Sequence, residues 1–283
     1  MKNLVDISQA KPKVNTREAI SIACENLDFN RQTNFKEKLE EIENLVLNEN
    51  KEVSGQALSN CRGSWYEWLL AHFFFNIWVN DKRLPLIIPL PNIASFDCAK
   101  LYIDEVNEYV FDLREKLKAT LGISLITSNP DFVILDMSNI KLEGHYTAIK
   151  KLDNSSIEFI DTFYKKLIGK CDFKSVIGYL ATKTSLRPDR RLQIVHEGNL
   201  TKAVYVHIQT RLWEQNPKGI RYFGASMKLN DKDKEALRTV ATHSITTVSS
   251  MPDRSVDELF QIQNTEDLKS AFNSIVKICG HEY

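Results

Sequence analysis

The sequence has no excess of charge of either sign, since its 283 residues include 37 Lys and Arg and 37 Asp and Glu. This balance argues against a protein that coats nucleic acid through a global positive field. A nucleic-acid partner would have to be bound by a local basic surface. With 43% hydrophobic and 26% charged residues, the chain can bury a substantial core, so we predict a folded protein and not a disordered one.

The sequence also lacks clustered metal-binding residues of the sulfur and imidazole type. None of its 5 cysteines lies at Cys-x-x-Cys spacing, and none of its 6 histidines forms a His-x-x-x-His or Cys/His set. A zinc site and a disulfide framework are therefore not indicated. Scattered, odd-numbered cysteines are typical of a protein in a reducing cytosol.

Long apolar runs, internal repeats and linkers are missing as well. The N-terminus has no apolar signal core, and the apolar stretches at 65–79 and 84–90 are too short or too interrupted to span a bilayer. We therefore expect a soluble, cytoplasmic protein with no membrane partner. The absence of Gly/Ser/Pro-rich linkers gives no natural point of division, although the length fits one domain or two.

Hydrophobic periodicity predicts helices that alternate with short strands. The predicted helices cover about 34–48, a segment opened by Ser64 after a Ser/Gly loop at 53–63, about 102–121, 188–213, and the region around 268–276. The predicted strands cover 86–90, 123–127, 132–137, 175–181 running into Lys183, and 220–225. This mixture indicates an α/β fold with a central mixed β-sheet.

A compact charged motif, Lys-Thr-Ser-Leu-Arg-Pro-Asp-Arg-Arg at 183–191, is followed by His-Glu-Gly-Asn at 196–199. Arg190 and Glu197 are two helical turns apart and so share one side of the predicted helix. Asp131 follows Asn-Pro at the mouth of an apolar strand. Two carboxylates suit a magnesium ion, and a neighbouring lysine can orient a nucleophile, as phosphodiester hydrolysis requires.

Each of these residues also has an ordinary structural interpretation. Asp131 could form an Asx turn, Lys183 could be a solvated strand end, and Glu197 could lie on the surface. Arg187 and Arg190 suit bidentate contacts to guanine and Asp189 suits cytosine, but the same three residues could form a salt-bridge network at a helix start. Spacing alone leaves both interpretations open.

Longer motifs that include these residues resemble the CCGG family of type II restriction endonucleases, most closely its RCCGGY-recognising branch. They are Ser-Asn-Cys-Arg-Gly-Ser-Trp-Tyr-Glu at 59–67, Pro-Asn at 91–92, Ser-Phe-Asp at 95–97, Leu-Ile-Thr-Ser-Asn-Pro-Asp at 125–131, the 183–193 and 196–199 segments, and Ala-Thr-His-Ser-Ile at 241–245. The resemblance implies a PD-(D/E)xK fold in a single domain spanning 1–283. Its mainly helical N-terminal part, about 1–80, would pack on a catalytic core of about 81–283.

The resemblance also implies roles for individual residues. Asp131 and Lys183 match the catalytic aspartate and lysine, Glu197 replaces the acid that is missing at Ala181, and Glu67 matches a further active-site glutamate. Mg²⁺ would be held by Asp131 and Glu197 with help from Glu67. The remaining matches are Arg187, Asp189 and Arg190 for the CCGG core, Asn60 and Arg62 in a loop near the outer base pair, and Arg211 and Trp213 at a dimer–dimer contact. From the sequence alone, Trp213 would be a core residue.

The resemblance predicts cleavage of double-stranded DNA at R^CCGGY, leaving 5′-phosphates and four-base 5′ overhangs. A palindromic site calls for a homodimer, and a homotetramer is compatible with the pattern. A cognate DNA methyltransferase in the same prokaryotic host would protect the host DNA. Three alternatives stay open: a CCGG enzyme with a fixed outer base pair, a structure-specific PD-(D/E)xK nuclease, and a non-catalytic DNA-binding regulator.

Overall fold

A computed structural model describes residues 3–8, 11–25, 32–122, 129–237, 239 and 253–280. The predicted strand at 123–127 and the motif at 241–245 lie outside the described residues. Within the described part, the helices are α1 Thr16–Ala23, α2 Phe35–Glu49, α3 Gly55–Asn80, α4 Asp104–Leu121, α5 Asn154–Thr162, α6 Pro188–Arg211, α7 Asp231–Leu237 and α8 Thr265–Ile278. The strands are β1 Val5–Asp6, β2 Lys13–Val14, β3 Leu86–Pro89, β4 Phe132–Leu135, β5 Val176–Lys183, β6 Arg221–Ser226 and β7 Glu258–Gln261.

Five strands form the central sheet in the order β3-β4-β5-β6-β7. β3, β4 and β5 pair in antiparallel fashion, whereas β5, β6 and β7 are parallel, so the predicted mixed sheet is confirmed. Phe132 pairs with Leu180, and Lys183 pairs with Ser226. The start of β4 therefore lies at the same edge of the sheet as the ends of β3, β5 and β6.

Both faces of the sheet are buried, which explains why β4 reads as a continuous apolar run. Phe132 and Ile134 point into a core shared with α2, α3 and α8, and Val133 and Leu135 point into a second core shared with α4 and α6. This alternation follows from the two-residue period of a strand. The sheet is thus a buried layer between two layers of helices.

The helix α3 begins earlier than the sequence predicted. Its 26 residues start at Gly55, because the Ser54 side chain caps the helix by accepting a hydrogen bond from the Ala57 N–H at 3.2 Å. The Ser/Gly segment predicted as a loop is therefore helical, and the prediction of a start at Ser64 was wrong. Gly63 lies in the helix interior with open space around its Cα, so it is tolerated there.

The helix α6 buries some of its apolar side chains and exposes others. Leu192 in its second turn is 72% exposed, whereas Ile194 and Ile208 are buried. Trp213 is not a core residue: it lies beyond the end of α6, has a left-handed backbone with φ of 55°, and is 77% exposed. The C-terminal turn directs its ring outward, and the core assignment of Trp213 was wrong.

Several short elements carried no periodic signal and were not predicted: β1, β2, α1, α5, α7 and β7. Each spans too few residues to complete a recognisable apolar pattern. None of the described helices has both the length and the apolar character needed to cross a membrane.

Candidate active site

Asp131 lies directly before β4, where the antiparallel pairing places it beside the end of β5. Its Oδ2 accepts three hydrogen bonds, from the Thr182 N–H at 2.6 Å, the Thr182 hydroxyl at 3.2 Å and the Lys183 ammonium at 3.0 Å. No described residue donates a hydrogen bond to Oδ1. One oxygen of Asp131 is therefore fixed by the protein, and the other is available to a ligand.

Lys183 is surrounded by carboxylates. Burial alone would lower the pKa of its ammonium, but the charge and hydrogen bond of Asp131, together with the charges of Glu67 and Glu197, raise that pKa above its usual value. Lys183 is consequently a stable cation at neutral pH. The negative charges of the three predicted acidic residues, which come from three different elements, therefore all act on this one lysine, and Asp131 also contacts it at 3.0 Å.

Glu67 projects from α3 toward this group. Burial of its carboxyl, and then the negative charge of Asp131, raise the pKa of Glu67 to about 8, against the opposing effect of Lys183. Three carboxyl groups around a single ammonium give the site a surplus of negative charge when all are ionised. A divalent cation would offset this surplus, and carboxylate oxygens are the ligands that Mg²⁺ prefers.

The described residues do not include three or more His, Cys, Asp or Glu side chains already gathered closely enough to enclose a metal ion. The charge and the donor atoms of Asp131, Glu67 and Glu197 nevertheless fit a hard divalent cation, because all three offer oxygen ligands. DNA phosphate oxygens and water would complete such a coordination shell.

Glu197 is on α6 and is only 7% exposed. Its Oε2 accepts a hydrogen bond from the Tyr222 hydroxyl at 2.6 Å, and its Oε1 accepts one from the Gln193 amide at 2.9 Å. Three further residues that were not predicted also belong to this site: Thr182, Gln193 and Tyr222. Only their contacts reveal them, since none belongs to a charged pattern.

The charged motif at the start of α6 is divided between exposed and anchored side chains. Arg187 and Asp189 are each 65% exposed and pair with each other at 3.2 Å, while Arg190 donates to the Ser185 carbonyl at 3.2 Å. Arg191 instead forms an ion pair with the buried Asp233 at 3.2 Å. Arg187 and Asp189 therefore face solvent, Arg190 is half-buried, and Arg191 fixes the helix to α7.

The residues predicted to lie near the outer base pair and at a dimer–dimer contact are outside this cluster. Asn60 and Arg62 are on α3 and not in a loop, and Arg62 forms an ion pair with Glu43 at 2.7 Å. Arg211, the last residue of α6, lies over the Tyr109 ring at 5.3 Å, two residues before the exposed Trp213. At 1.5 Å per residue, Arg211 is about 30 Å along α6 from Arg190, so it is remote from the charged motif at the start of the helix.

The raised pKa of Glu67 predicts a stability difference that depends on pH. Because Glu67 is protonated more readily in the folded protein than in the unfolded chain, its favourable contribution is complete below about pH 4.5 and is lost as the pH rises through about 8. Glu67→Gln has no titratable group at this position, so its free energy of unfolding does not fall with rising pH for this reason. We expect the variant to gain stability relative to the wild type between pH 5 and 9, in urea melts without metal.

The matched control for this prediction is Glu235→Gln on α7, where the glutamate is exposed. Its stability relative to the wild type should change little over the same pH range. If Glu67→Gln followed the control, the carboxyl of Glu67 would not be desolvated in the folded protein.

The fold and these side chains together define a class of protein: a mixed sheet with Asp131 and Lys183 at one edge and an acid on the following helix is the arrangement of a PD-(D/E)xK nuclease with a restriction-endonuclease fold. The family model for the Cfr10I/Bse634I restriction endonuclease matches residues 5–278, and the chain belongs to this family. It is accordingly a type II restriction endonuclease, a site-specific deoxyribonuclease, as the sequence motifs predicted. Enzymes of this type require a divalent metal ion.

Individual relatives agree with the family model over nearly the whole chain. The type II restriction enzyme Cfr10I of Citrobacter freundii is 35% identical over 274 residues, which are 94% of this chain and 95% of the relative. A crystal structure of the type IIF restriction endonuclease Bse634I with cognate DNA matches with a TM-score of 0.88 and 32% identity, covering 97% of this chain and 98% of that one. A second structure, of Bse634I restriction endonuclease, gives a TM-score of 0.87, 32% identity and 97% coverage of both chains.

Proposed function

We propose that this enzyme cleaves double-stranded DNA at R^CCGGY in the presence of Mg²⁺, leaving 5′-phosphates and four-base 5′ overhangs. The observation that carries the proposal is the ion pair of Asp131 with Lys183 at 3.0 Å, on which the charges of Glu67 and Glu197 also act, together with the exposed side chains at the start of α6. Family membership supports a specific double-stranded DNA target, since Bse634I has been crystallised with its cognate DNA.

Asp131, Glu197 and Glu67 would hold the metal ion, with Oδ1 of Asp131 as the available oxygen. When bound, the metal polarises the phosphate and lowers the pKa of water. Lys183 would position the attacking water and offset the charge that develops on the phosphate, since its raised pKa keeps it cationic. Thr182 would hold Asp131 in place through the two hydrogen bonds to Oδ2.

Arg187, Asp189 and Arg190 would read the CCGG core in the major groove. Arginine donates two hydrogen bonds to guanine O6 and N7, and aspartate accepts one from cytosine N4. The first turn of α6 is well suited to this task because Pro188 begins the helix without an unpaired N–H and Arg191 anchors it through Asp233. Asn60 and Arg62 on α3 would contribute near the outer base pair.

Arg190→Ala is expected to reduce discrimination between CCGG and altered cores by about 1–3 kcal/mol, the contribution of one bidentate base contact. The measurement is competition binding of cognate and single-substitution duplexes without metal. An equal loss of affinity for cognate and random DNA would instead make Arg190 a phosphate contact. Arg83→Ala, whose side chain is 77% exposed on the surface, is the matched control and should change neither quantity.

We further propose that the chain acts as one domain, assembled into a homodimer whose two-fold axis matches that of the palindrome. The exposed Trp213, with Arg211 beside it, would form the contact through which two dimers join in a homotetramer. A large aromatic ring that is 77% exposed is typical of a residue that is covered by a partner. The enzyme would act in the cytoplasm, alongside a cognate DNA methyltransferase that protects the host.

Digestion of a DNA library that carries every NCCGGN site, followed by sequencing of the cut ends, tests the proposed target. Ends confined to RCCGGY support the proposal, and ends confined to a single flanking pair would indicate a fixed outer base pair. Cleavage at branch points without a sequence preference would indicate a structure-specific nuclease. Binding without Mg²⁺-dependent cleavage would indicate a regulator.

A further inference from the structure

We propose that Tyr222 is a positioning residue for the active site, whose hydroxyl holds the carboxylate of Glu197 in the orientation that metal binding requires. The inference depends on the metal-binding role proposed above for Glu197. Tyr222 belongs to none of the charged motifs, and it lies on β6, remote in sequence from the residue it contacts.

The need for such a residue follows from the location of Glu197. An acidic residue two positions before Lys183 on β5 would be held close to the lysine by the strand itself. In this chain that position is occupied by Ala181. Glu197 reaches the site from a helix, and its side chain has three rotatable bonds between the backbone and the carboxylate. Without an external donor, several rotamers would place the carboxylate away from Lys183 and Asp131.

Tyr222 supplies a donor whose own position is fixed. Its ring is fully buried, and its backbone N–H donates to the Asp257 carboxylate at 2.8 Å while its carbonyl accepts from the Asp257 N–H at 2.8 Å. Both the backbone and the ring of Tyr222 are therefore held in place, and this fixes the position of its hydroxyl. From this fixed position the hydroxyl donates to Oε2 of Glu197 at 2.6 Å.

Asp257 connects this donor to the helix that carries the acceptor. Its Oδ2 accepts from the Tyr222 N–H at 2.8 Å and also lies 2.9 Å from the ammonium of the buried Lys202 on α6. The same carboxylate thus fixes the strand that holds Tyr222 and the helix that holds Glu197. The distance between hydroxyl and carboxylate is set by this shared anchor.

The helix also approaches this region more closely than a side chain would allow. A Cβ atom at Gly198 would lie 2.1 Å from the Ser255 carbonyl oxygen and 3.3 Å from the Tyr222 ring. Asn199 accepts a hydrogen bond from the Ser255 hydroxyl at 2.6 Å. Gly198 therefore permits the close packing that brings Glu197 within hydrogen-bond distance of Tyr222.

Gln193 is the second donor to Glu197, but it is exposed and lies on the same helix as its acceptor. Water can replace an exposed amide, whereas it cannot replace a hydroxyl in a filled core. We therefore assign the positioning role to Tyr222 and not to Gln193.

The test is Tyr222→Phe, which removes only the hydroxyl. We expect kcat to fall about 10–100-fold, as is typical when a hydrogen-bond partner of a metal ligand is lost. The KM for DNA should stay within twofold of the wild type. The affinity for Mn²⁺ in the absence of DNA should decrease by a similar factor. This affinity is measured from the decrease in the EPR signal of free Mn²⁺ on binding.

The matched control is Tyr66→Phe, because Tyr66 is equally buried and donates its hydroxyl to the Ile262 carbonyl at 2.8 Å. Both variants lose a buried hydrogen bond and should have similarly lowered melting temperatures. Only Tyr222→Phe should lose Mn²⁺ affinity and kcat. Wild-type Mn²⁺ affinity and kcat in Tyr222→Phe would overturn the proposal.

Two substitutions of Glu197 separate failure of this proposal from failure of the proposed function. If Glu197→Ala keeps Mn²⁺ affinity and cleavage, Glu197 is not a metal ligand and the proposed function fails at that residue. If Glu197→Ala loses both while Tyr222→Phe keeps both, only the positioning role is wrong. Should Tyr222→Phe not fold, Glu197→Asp withdraws the carboxylate from the hydroxyl by one methylene, and wild-type Mn²⁺ affinity in that variant would overturn the proposal.

Discussion

Asp131→Ala is expected to abolish DNA cleavage while specific DNA binding remains. The substitution removes the oxygen available to the metal and the partner of the Lys183 ammonium at 3.0 Å. Metal-assisted activation contributes several kcal/mol to such reactions, which corresponds to at least about a thousand-fold in rate. The side chains on α6 that are proposed to read the bases are not changed, so affinity for cognate DNA should be retained.

The measurements are single-turnover cleavage with Mg²⁺ and binding of a cognate duplex without metal. Asp136→Ala is a matched control, since Asp136 directly follows β4 at the opposite edge of the sheet from Asp131. This control should retain cleavage within a few fold. Full cleavage by Asp131→Ala would show that the pair of Asp131 and Lys183 is not the catalytic centre.

The second large effect is expected from Gly198→Ala. The added methyl group would lie 2.1 Å from the Ser255 oxygen and 2.9 Å from its carbonyl carbon, both backbone atoms, so α6 or the segment around Ser255 must move. Overpacking of this kind typically costs about 1–3 kcal/mol or more of unfolding free energy. Because Glu197 is the preceding residue, cleavage should fall together with stability.

The control is Gly63→Ala, and the free energy of unfolding of both variants is measured by urea denaturation. Gly63 is also inside a helix, but a methyl group there would meet no atom within 4 Å. That variant should be more stable than the wild type by about 0.5–1 kcal/mol, because alanine loses less backbone entropy in a helix. If both variants changed stability by the same amount and sign, close packing at Gly198 would not determine the position of α6.

The elements that sequence patterns predicted correctly are those with strong periodicity or flanking signals. β4 and β5 are continuous apolar runs, and α6 starts at Pro188 as predicted. The start of α3 was predicted incorrectly because Ser and Gly residues favour loops on average, whereas here Ser54 caps the helix and the rest is held by packing. Local propensity is a weak guide when tertiary contacts outweigh it.

The candidate site could be predicted only as far as its charged residues. Asp131, Lys183 and Glu197 belong to motifs, but the sequence does not show that Tyr222 contacts Glu197 or that Arg191 is paired with Asp233. These contacts join residues far apart in the chain, and they depend on strand order and on the approach of α6 to β6. The outward orientation of Trp213 likewise depends on a single left-handed residue beyond a helix end.

The docking of α6 on residues 253–257 has a consequence for biosynthesis. The helix that carries Glu197 is held by Ser255 and Asp257, which are synthesised more than 50 residues later than Glu197 itself. A nascent chain that ends before this segment has Asp131 and Lys183 but no anchor for the third acidic group. The order of translation therefore delays assembly of the proposed nuclease centre until residues 253–257 have been synthesised, which limits the time in which a partly folded enzyme could damage the DNA of its own cell.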